Sequence, residues 1–177
     1  MQYKANSPQM RVIRGGEIGM IFQEPMTSLN PVKTIGAQLM ESIVLHLKLD
    51  HKKARHRAAQ LLHQVGIPDP ESRLSDYPHQ FSGGMRQRIM IAIALAANPK
   101  MIIADEPTTA LDVTTQAQIL DLLTSLAKQN NTALVLITHN LGIVARYAQR
   151  IYVMYAGNIV EKGKAIDIFK TPSHPYT

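Results

Sequence analysis

Three short apolar runs constrain this chain most, because each ends on a polar residue of catalytic type. "IGMIF" leads into Gln23, "MIIA" into Asp105 and Glu106, and "ALVLIT" into His139. Nearly unbroken aliphatic and β-branched runs read as strands buried on both faces, the mark of a parallel sheet. In open α/β sheets, ligands bind beyond the carboxyl ends of the strands. All three polar residues fall at that edge, so the sheet and a candidate site are predicted together.

Residues 34–98, between the first two runs, read as helical around one connector. Leu39, Ile43 and Leu47 recur at the spacing of an amphipathic helix. A second helix covers 51–65, with Leu61, Leu62 and Val65 inward, and stops at Gly66-Ile67-Pro68. The prolines of "IPDPESRLSDYPHQ" forbid a long helix there, and a third helix runs from Gly83-Gly84 to Asn98. Beyond the acidic pair, Ile119, Leu122, Leu123 and Leu126 mark a further helix ending at Asn130-Asn131, and "LGIVARYA" a short one. "RIYVMYAGNIVEKG" reads as a hairpin turning around Ala156-Gly157-Asn158, and the tail "KTPSHPYT" as turns.

Composition removes whole classes of function. The chain has no Cys, which excludes disulfides, thiolate metal sites and a cysteine nucleophile. His46, His51, His56 and His63 are scattered over polar helical ground without metal-ligand spacing. No apolar run approaches the roughly 18 residues that span a bilayer, and the first ten residues lack the apolar stretch of a secretory signal. The expectation is a soluble protein of the cytoplasm. A net charge of +6 raises the question of nucleic acid. Its densest basic stretch, Lys52 to Arg57, has no interleaved aromatics and would spread its cations around a helix, so no nucleic-acid partner is expected.

The chemistry sits at the strand ends. Asp105 is delivered where a carboxylate can hold Mg²⁺, and Glu106 where it can polarise a water for attack on a phosphate. The pair also reads as a strand that simply ends in two acids. Ser82-Gly83-Gly84 opens a helix, offering backbone N–H groups and the helix dipole to an anion. It reads equally as an ordinary serine N-cap. Gln23 could orient a water or ligate a metal through its side-chain oxygen, or be a polar loop residue. His139 could donate to a γ-phosphate, or cap the following helix.

"IGMIFQEP", "FSGGMRQR", "MIIADEPTTALD" and "LITHN", in this order, resemble the nucleotide-binding subunit of ABC transporters. In that family's terms they look like the Q-loop (Gln23), the signature motif (Ser82, Gly83, Gly84), Walker B with its glutamate (Asp105, Glu106), the D-loop (Ala110, Leu111, Asp112) and the H-loop (His139). Longer stretches, such as "VGIPDPESRLSDYPHQFSGGMRQR" and "ADEPTTALDVTTQAQIL", are similar to the dipeptide, oligopeptide and nickel importer branch.

The resemblance implies an α/β fold with a P-loop NTPase-like (RecA-like) parallel-sheet core and an inserted helical subdomain. The corresponding division is 1–33 for a core strand and the Q-loop, 34–98 for the helical subdomain, 99–163 for the remaining core, and 164–177 for the start of a C-terminal extension. It also implies ATP and Mg as cofactors, with Glu106, His139 and Gln23 catalytic and Asp105 and Gln23 on the metal. Ser82, Gly83, Gly84 and Asp112 would face nucleotide bound by a second subunit, alike or related. Permease subunits would dock in a groove between core and helical segment, linked to the site by Gln23. A solute-binding protein would act indirectly, and the subunit would sit on the cytoplasmic face of the membrane.

This sequence departs from the family pattern in three places. Phe81 and Met85 stand where Leu and Gln are usual, and Asn140 follows His139 in place of Asp. The third departure is larger: no G-x-x-x-x-G-K-[ST] phosphate loop occurs anywhere in the 177 residues. "GNIVEKGKA" has the wrong spacing and lies in the predicted hairpin. The expectation is a piece that begins downstream of that loop and of the strand before it, with very weak Mg-ATP binding and no turnover in isolation. Two other readings are an inactive module that binds the permease or another subunit, and a nucleic-acid-associated ABC ATPase.

Overall fold

The computed structural model describes residues 7–24, 28–108 and 111–177, which form two compact units divided between Ile137 and Thr138. In the first unit, α1 (Pro8–Ile13) leads through a Gly15-Gly16 turn into β1 (Ile18–Ile21). Then come α2 (Ile35–Leu47), α3 (His51–Gln64), the short α4 (Pro70–Arg73), a single 3-10 turn and α5 (Gly83–Leu95). β2 (Met101–Asp105), α6 (Val113–Gln129) and β3 (Ala133–Ile137) complete it. Side-chain caps start the long helices: Thr34, Asp50, Ser82 and Asp112 each accept a backbone N–H three residues on.

The three strands pair in parallel in the order β1-β2-β3, as the apolar runs predict. Register puts Gly19, Ile102 and Leu134 in one row and Ile21, Ala104 and Leu136 in another. These rows face the core, where Ile35, Leu39 and Ile43 of α2, Ile89 and Ile91 of α5, and Ile119 and Leu123 of α6 are fully buried. The intervening row is different. Met20 and Val135 are each 43% exposed and Ile137 is 47% exposed. The expectation of strands buried on both faces therefore holds for one face, because α5 and α6 join the same core cluster and cover the same side.

The second unit holds α7 (Leu141–Tyr147), the antiparallel hairpin β4 (Arg150–Tyr155) and β5 (Asn158–Lys164), and α8 (Ala165–Lys170). Gly157 takes a left-handed φ of 79° in the predicted turn. Ile168 of α8 packs against Gly163. The Glu161 carboxylate accepts the N–H groups of Ser173 and His174 at 2.8 and 3.1 Å, which folds the terminal segment back onto the hairpin. Neither α1 nor α8 was legible as a helix, since six residues carry too little periodicity.

Candidate functional site

β1 and β2 lie side by side, so their carboxyl ends deliver Gln23 and Asp105-Glu106 to the same edge. Gln23 Nε2 donates to Glu106 Oε2 at 2.9 Å across 83 positions of sequence. Asp105 is the last residue of β2, in register with Ile137, and is half-buried. Glu106 follows with a left-handed φ of 43°, a conformation that bulky residues rarely adopt. Its N–H donates to the Ile137 carbonyl at 3.0 Å, pinning the turn to the end of β3. The carboxylate is thus aimed by two strands and one amide, and backbone strain of this kind gathers at functional positions.

The signature turn goes elsewhere. Ser82 Oγ accepts Met85 N–H at 3.3 Å, so the plain N-cap reading is correct for its hydroxyl. The first turn of α5 meets the start of α6: a Cβ on Gly84 would lie 3.2 Å from Thr115 Cγ2, and one on Gly83 3.9 Å from Leu111 Cδ2. Asp112 caps α6 through Oδ1, which accepts Thr115 N–H at 3.0 Å. Ser82, Gly83, Gly84, Leu111 and Asp112 therefore form one cluster at two helix N-termini. Gln23, Asp105 and Glu106 form another, joined to the first by the loop between β2 and α6. Ala110 lies outside the described residues. His139 is exposed and belongs to the second unit, where the cap of α7 is Asn140, whose Oδ1 accepts from Gly142 and Ile143.

Sequence reasoning missed two glutamines that brace these loops. Gln116 Nε2 donates to the Thr108 carbonyl at 3.1 Å, holding the loop from the α6 side. Gln38 on α2 accepts Asn30 N–H at 2.9 Å and donates to the Asn30 and Lys33 carbonyls at 3.0 Å, fixing the turn from Asn30 to Lys33. An uncharged amide at a helix position carries no pattern that marks it in advance.

Asp112 has a pKa below the ordinary carboxylate value, chiefly because the Thr115 backbone N–H bonds to it. A lowered folded pKa gives stability that is present above the unfolded value, near 4, and lost as pH falls through the folded one. Asn is an equally good cap but does not titrate. Asp112→Asn should therefore leave the Tm at pH 7 nearly unchanged and flatten part of its decline as pH falls below about 4. Melting curves across that range check this.

The oxygen donors fit a hard cation. Gln23 donates its nitrogen to Glu106, which leaves Oε1 as an acceptor beside the Asp105 strand end. Mg²⁺ commonly takes one or two protein oxygens and fills the remaining positions with water and substrate phosphate. Among the described residues, no group of three His, Cys, Asp or Glu side chains could hold a metal unaided. This edge suits an ion that arrives with a nucleotide.

Comparison with known proteins gives the family. The family model described as "ABC transporter" matches residues 2–109. The oligopeptide transport ATP-binding protein OppD of Bacillus subtilis is 59% identical over 169 residues, covering 96% of this chain and 47% of that protein. The dipeptide transport ATP-binding protein DppD of Escherichia coli is 58% identical over 174 residues, covering 98% of this chain and 53% of that protein. The chain thus spans about half the length of the curated relatives it matches. Among solved structures, the dimeric post-hydrolysis state of the ATP-binding cassette MJ0796 with ADP and Pi superposes with a TM-score of 0.77 at 29% identity, covering 90% of this chain and 68% of that one. The cbiO1 subunit from Clostridium perfringens gives 0.78 at 28%, covering 92% and 63%. With its parallel sheet, its paired strand-end carboxylates and a family match across more than half its length, the chain belongs to the ABC transporter family.

Proposed function

We propose that this chain is part of the ATP-hydrolysing subunit that powers peptide import. The observation that carries the proposal is the bond from Gln23 to Glu106, which holds one strand-end carboxylate in a fixed direction beside another. Glu106 takes the proton of the attacking water, and Gln23 orients that water or ligates the metal. Asp105 and Gln23 would hold Mg²⁺, which would neutralise developing phosphate charge. His139 donates to the γ-phosphate. Ser82, Gly83, Gly84 and Asp112 face nucleotide carried by a second subunit, and the dimeric MJ0796 cassette supports that arrangement by likeness. The names of the peptide-transport relatives support the peptide class.

Residues 34–98 form the permease-docking part in this reading. Ser28, Asn30, Lys33, Glu41, Leu45 and His46 line an open groove of about 440 Å³, whose floor Gln38 fixes. Among the described residues no helix is long and apolar enough to cross a membrane. In this reading attachment to the cytoplasmic face runs through permease subunits, with a solute-binding protein acting at one remove.

A second reading is favoured by one contrast: the residues named as lining the groove all lie in this sequence, whereas no phosphate-loop motif occurs in it. On that reading the chain is an interaction module. The discriminating test joins this chain to the N-terminal portion of the Bacillus subtilis oligopeptide relative and measures phosphate release. The joined protein should turn over ATP, while the 177-residue chain alone should release none above background. Steady release by the short chain would refute its predicted inactivity. An inert joined protein, together with nucleotide-independent capture of a permease by the short chain, would replace the ATPase reading with the module.

A further inference from the structure

Glu106 keeps a left-handed φ of 43°, and a strained residue persists only where its surroundings hold the backbone on both sides. On the N-terminal side the hold is β2 itself, with the bond from the Glu106 N–H to the Ile137 carbonyl at 3.0 Å. On the C-terminal side the ring of Pro107 fixes its own φ, and the carbonyl of the following residue, Thr108, is tied down twice. It accepts the Leu111 N–H at 3.1 Å and Gln116 Nε2 at 3.1 Å, which uses both of its lone pairs. The first of these bonds stays within the loop. The second comes from the first turn of α6, where the Gln116 N–H donates to the carbonyl of the capping Asp112 at 2.8 Å. Gln116 is half-buried, whereas Gln118 on the same helix is exposed.

We infer that Gln116, given the hydrolytic role proposed for Glu106, is a positioning residue for that step. It anchors Thr108 to the start of α6 and so keeps the Glu106 carboxylate on the line that Gln23 defines. Gln116 touches neither water nor nucleotide in this role; it acts through the backbone between Thr108 and Glu106. The start of α6 is a firm reference for the purpose. A Cβ on Gly84 would already lie 3.2 Å from Thr115 Cγ2, so α6 has little room to shift toward α5. Loss of the Gln116 amide leaves the loop folded, because the Thr108 carbonyl keeps its bond to Leu111. What goes is the tie to α6, and the strained φ of Glu106 is then free to relax. Displacing a catalytic group by about 1 Å can cost as much as 100-fold in rate.

Three substitutions separate the amide from the bulk of the side chain. Gln116→Met keeps the length and apolar packing but has no donor. Gln116→Arg carries Nε on Cδ, where glutamine carries Nε2, so an N–H donor returns to the same reach. Gln118→Met makes the first change at an exposed position. Amide hydrogen exchange in the 177-residue chain reads the brace directly. The Glu106 and Leu111 amides should exchange about 5-fold faster in Gln116→Met, the factor one hydrogen bond supplies, and return to wild-type rates in Gln116→Arg. In the protein joined to a relative's N-terminal portion, Gln116→Met should slow single-turnover phosphate release roughly 10- to 100-fold, with nucleotide affinity unchanged and Tm nearly so. Gln116→Arg should recover the rate, and Gln118→Met should match the wild type throughout. An active joined wild type equalled by Gln116→Met would overturn the role of Gln116 alone, as would exchange rates that Gln116→Met leaves unaltered. A rate that Gln116→Arg does not restore, or a Tm that falls in step with the rate, would make Gln116 a packing group. A joined wild type that releases no phosphate would instead overturn the ATPase reading, and this role with it.

Discussion

Gly19→Ala is expected to destabilise the first unit by about 3 kcal/mol or more, lowering its Tm by roughly 6–12 °C. β1 crosses α5 so closely that strand backbone rests on helix backbone. A Cβ on Gly19 would meet the Ala94 carbonyl oxygen well inside van der Waals contact and lie 3.2 Å from the Ala94 carbonyl carbon. Neither atom belongs to a side chain that can swing aside. The strand must move instead, carrying with it Ile21, which is fully buried, and Gln23 two residues further on. Gly83→Ala is the contrasting case. Its new methyl would have ordinary contact with Leu111 at 3.9 Å, and alanine favours a helix over glycine by about 1 kcal/mol. Thermal melts of both variants should give a large loss for the first and no loss or a small gain for the second. A Gly19→Ala protein that melts with the wild type would mean that β1 does not lie on α5 as described.

The same close approach shows where sequence reading stops. "IGMIF" announces a strand because its apolar residues are contiguous, and Asp105-Glu106 announces a sheet edge because a strand cannot bury two carboxylates. Local chemistry also foretold Ser82 as a cap. None of this says which strand lies beside which. The Gln23–Glu106 bond exists because β1 is the neighbour of β2, a long-range outcome of packing that no local pattern encodes. Strand composition likewise predicts burial without saying how many faces the crossover helices cover. Val135 and Ile137 are as aliphatic as Ile102, yet only Ile102 faces the helices. The glutamines escaped for a third reason. Gln38 and Gln116 act through loop carbonyls whose position is known only once the chain has folded.

Glu106→Gln, made in the protein joined to a relative's N-terminal portion, is expected to slow phosphate release about 10²–10⁴-fold while leaving nucleotide affinity and Tm unchanged. The substitution separates chemistry from structure because the observed contact survives it. Gln23 Nε2 donates to Glu106 Oε2 at 2.9 Å, and the side-chain oxygen of a glutamine can accept the same bond in the same place. Backbone strain is also conserved, since the φ of 43° is imposed by the turn after β2 and by the N–H bond to Ile137, and both side chains are unbranched at Cβ. What changes is the capacity to take a proton. Gln23→Ala is the complementary variant: it keeps the base but removes the amide that aims it, so a smaller loss of turnover is expected. Single-turnover phosphate release, nucleotide affinity and a melting curve on each protein decide the matter. Equal rates in wild type and Glu106→Gln would make the carboxylate a mere strand end, and a matching fall in Tm would make it a structural anchor.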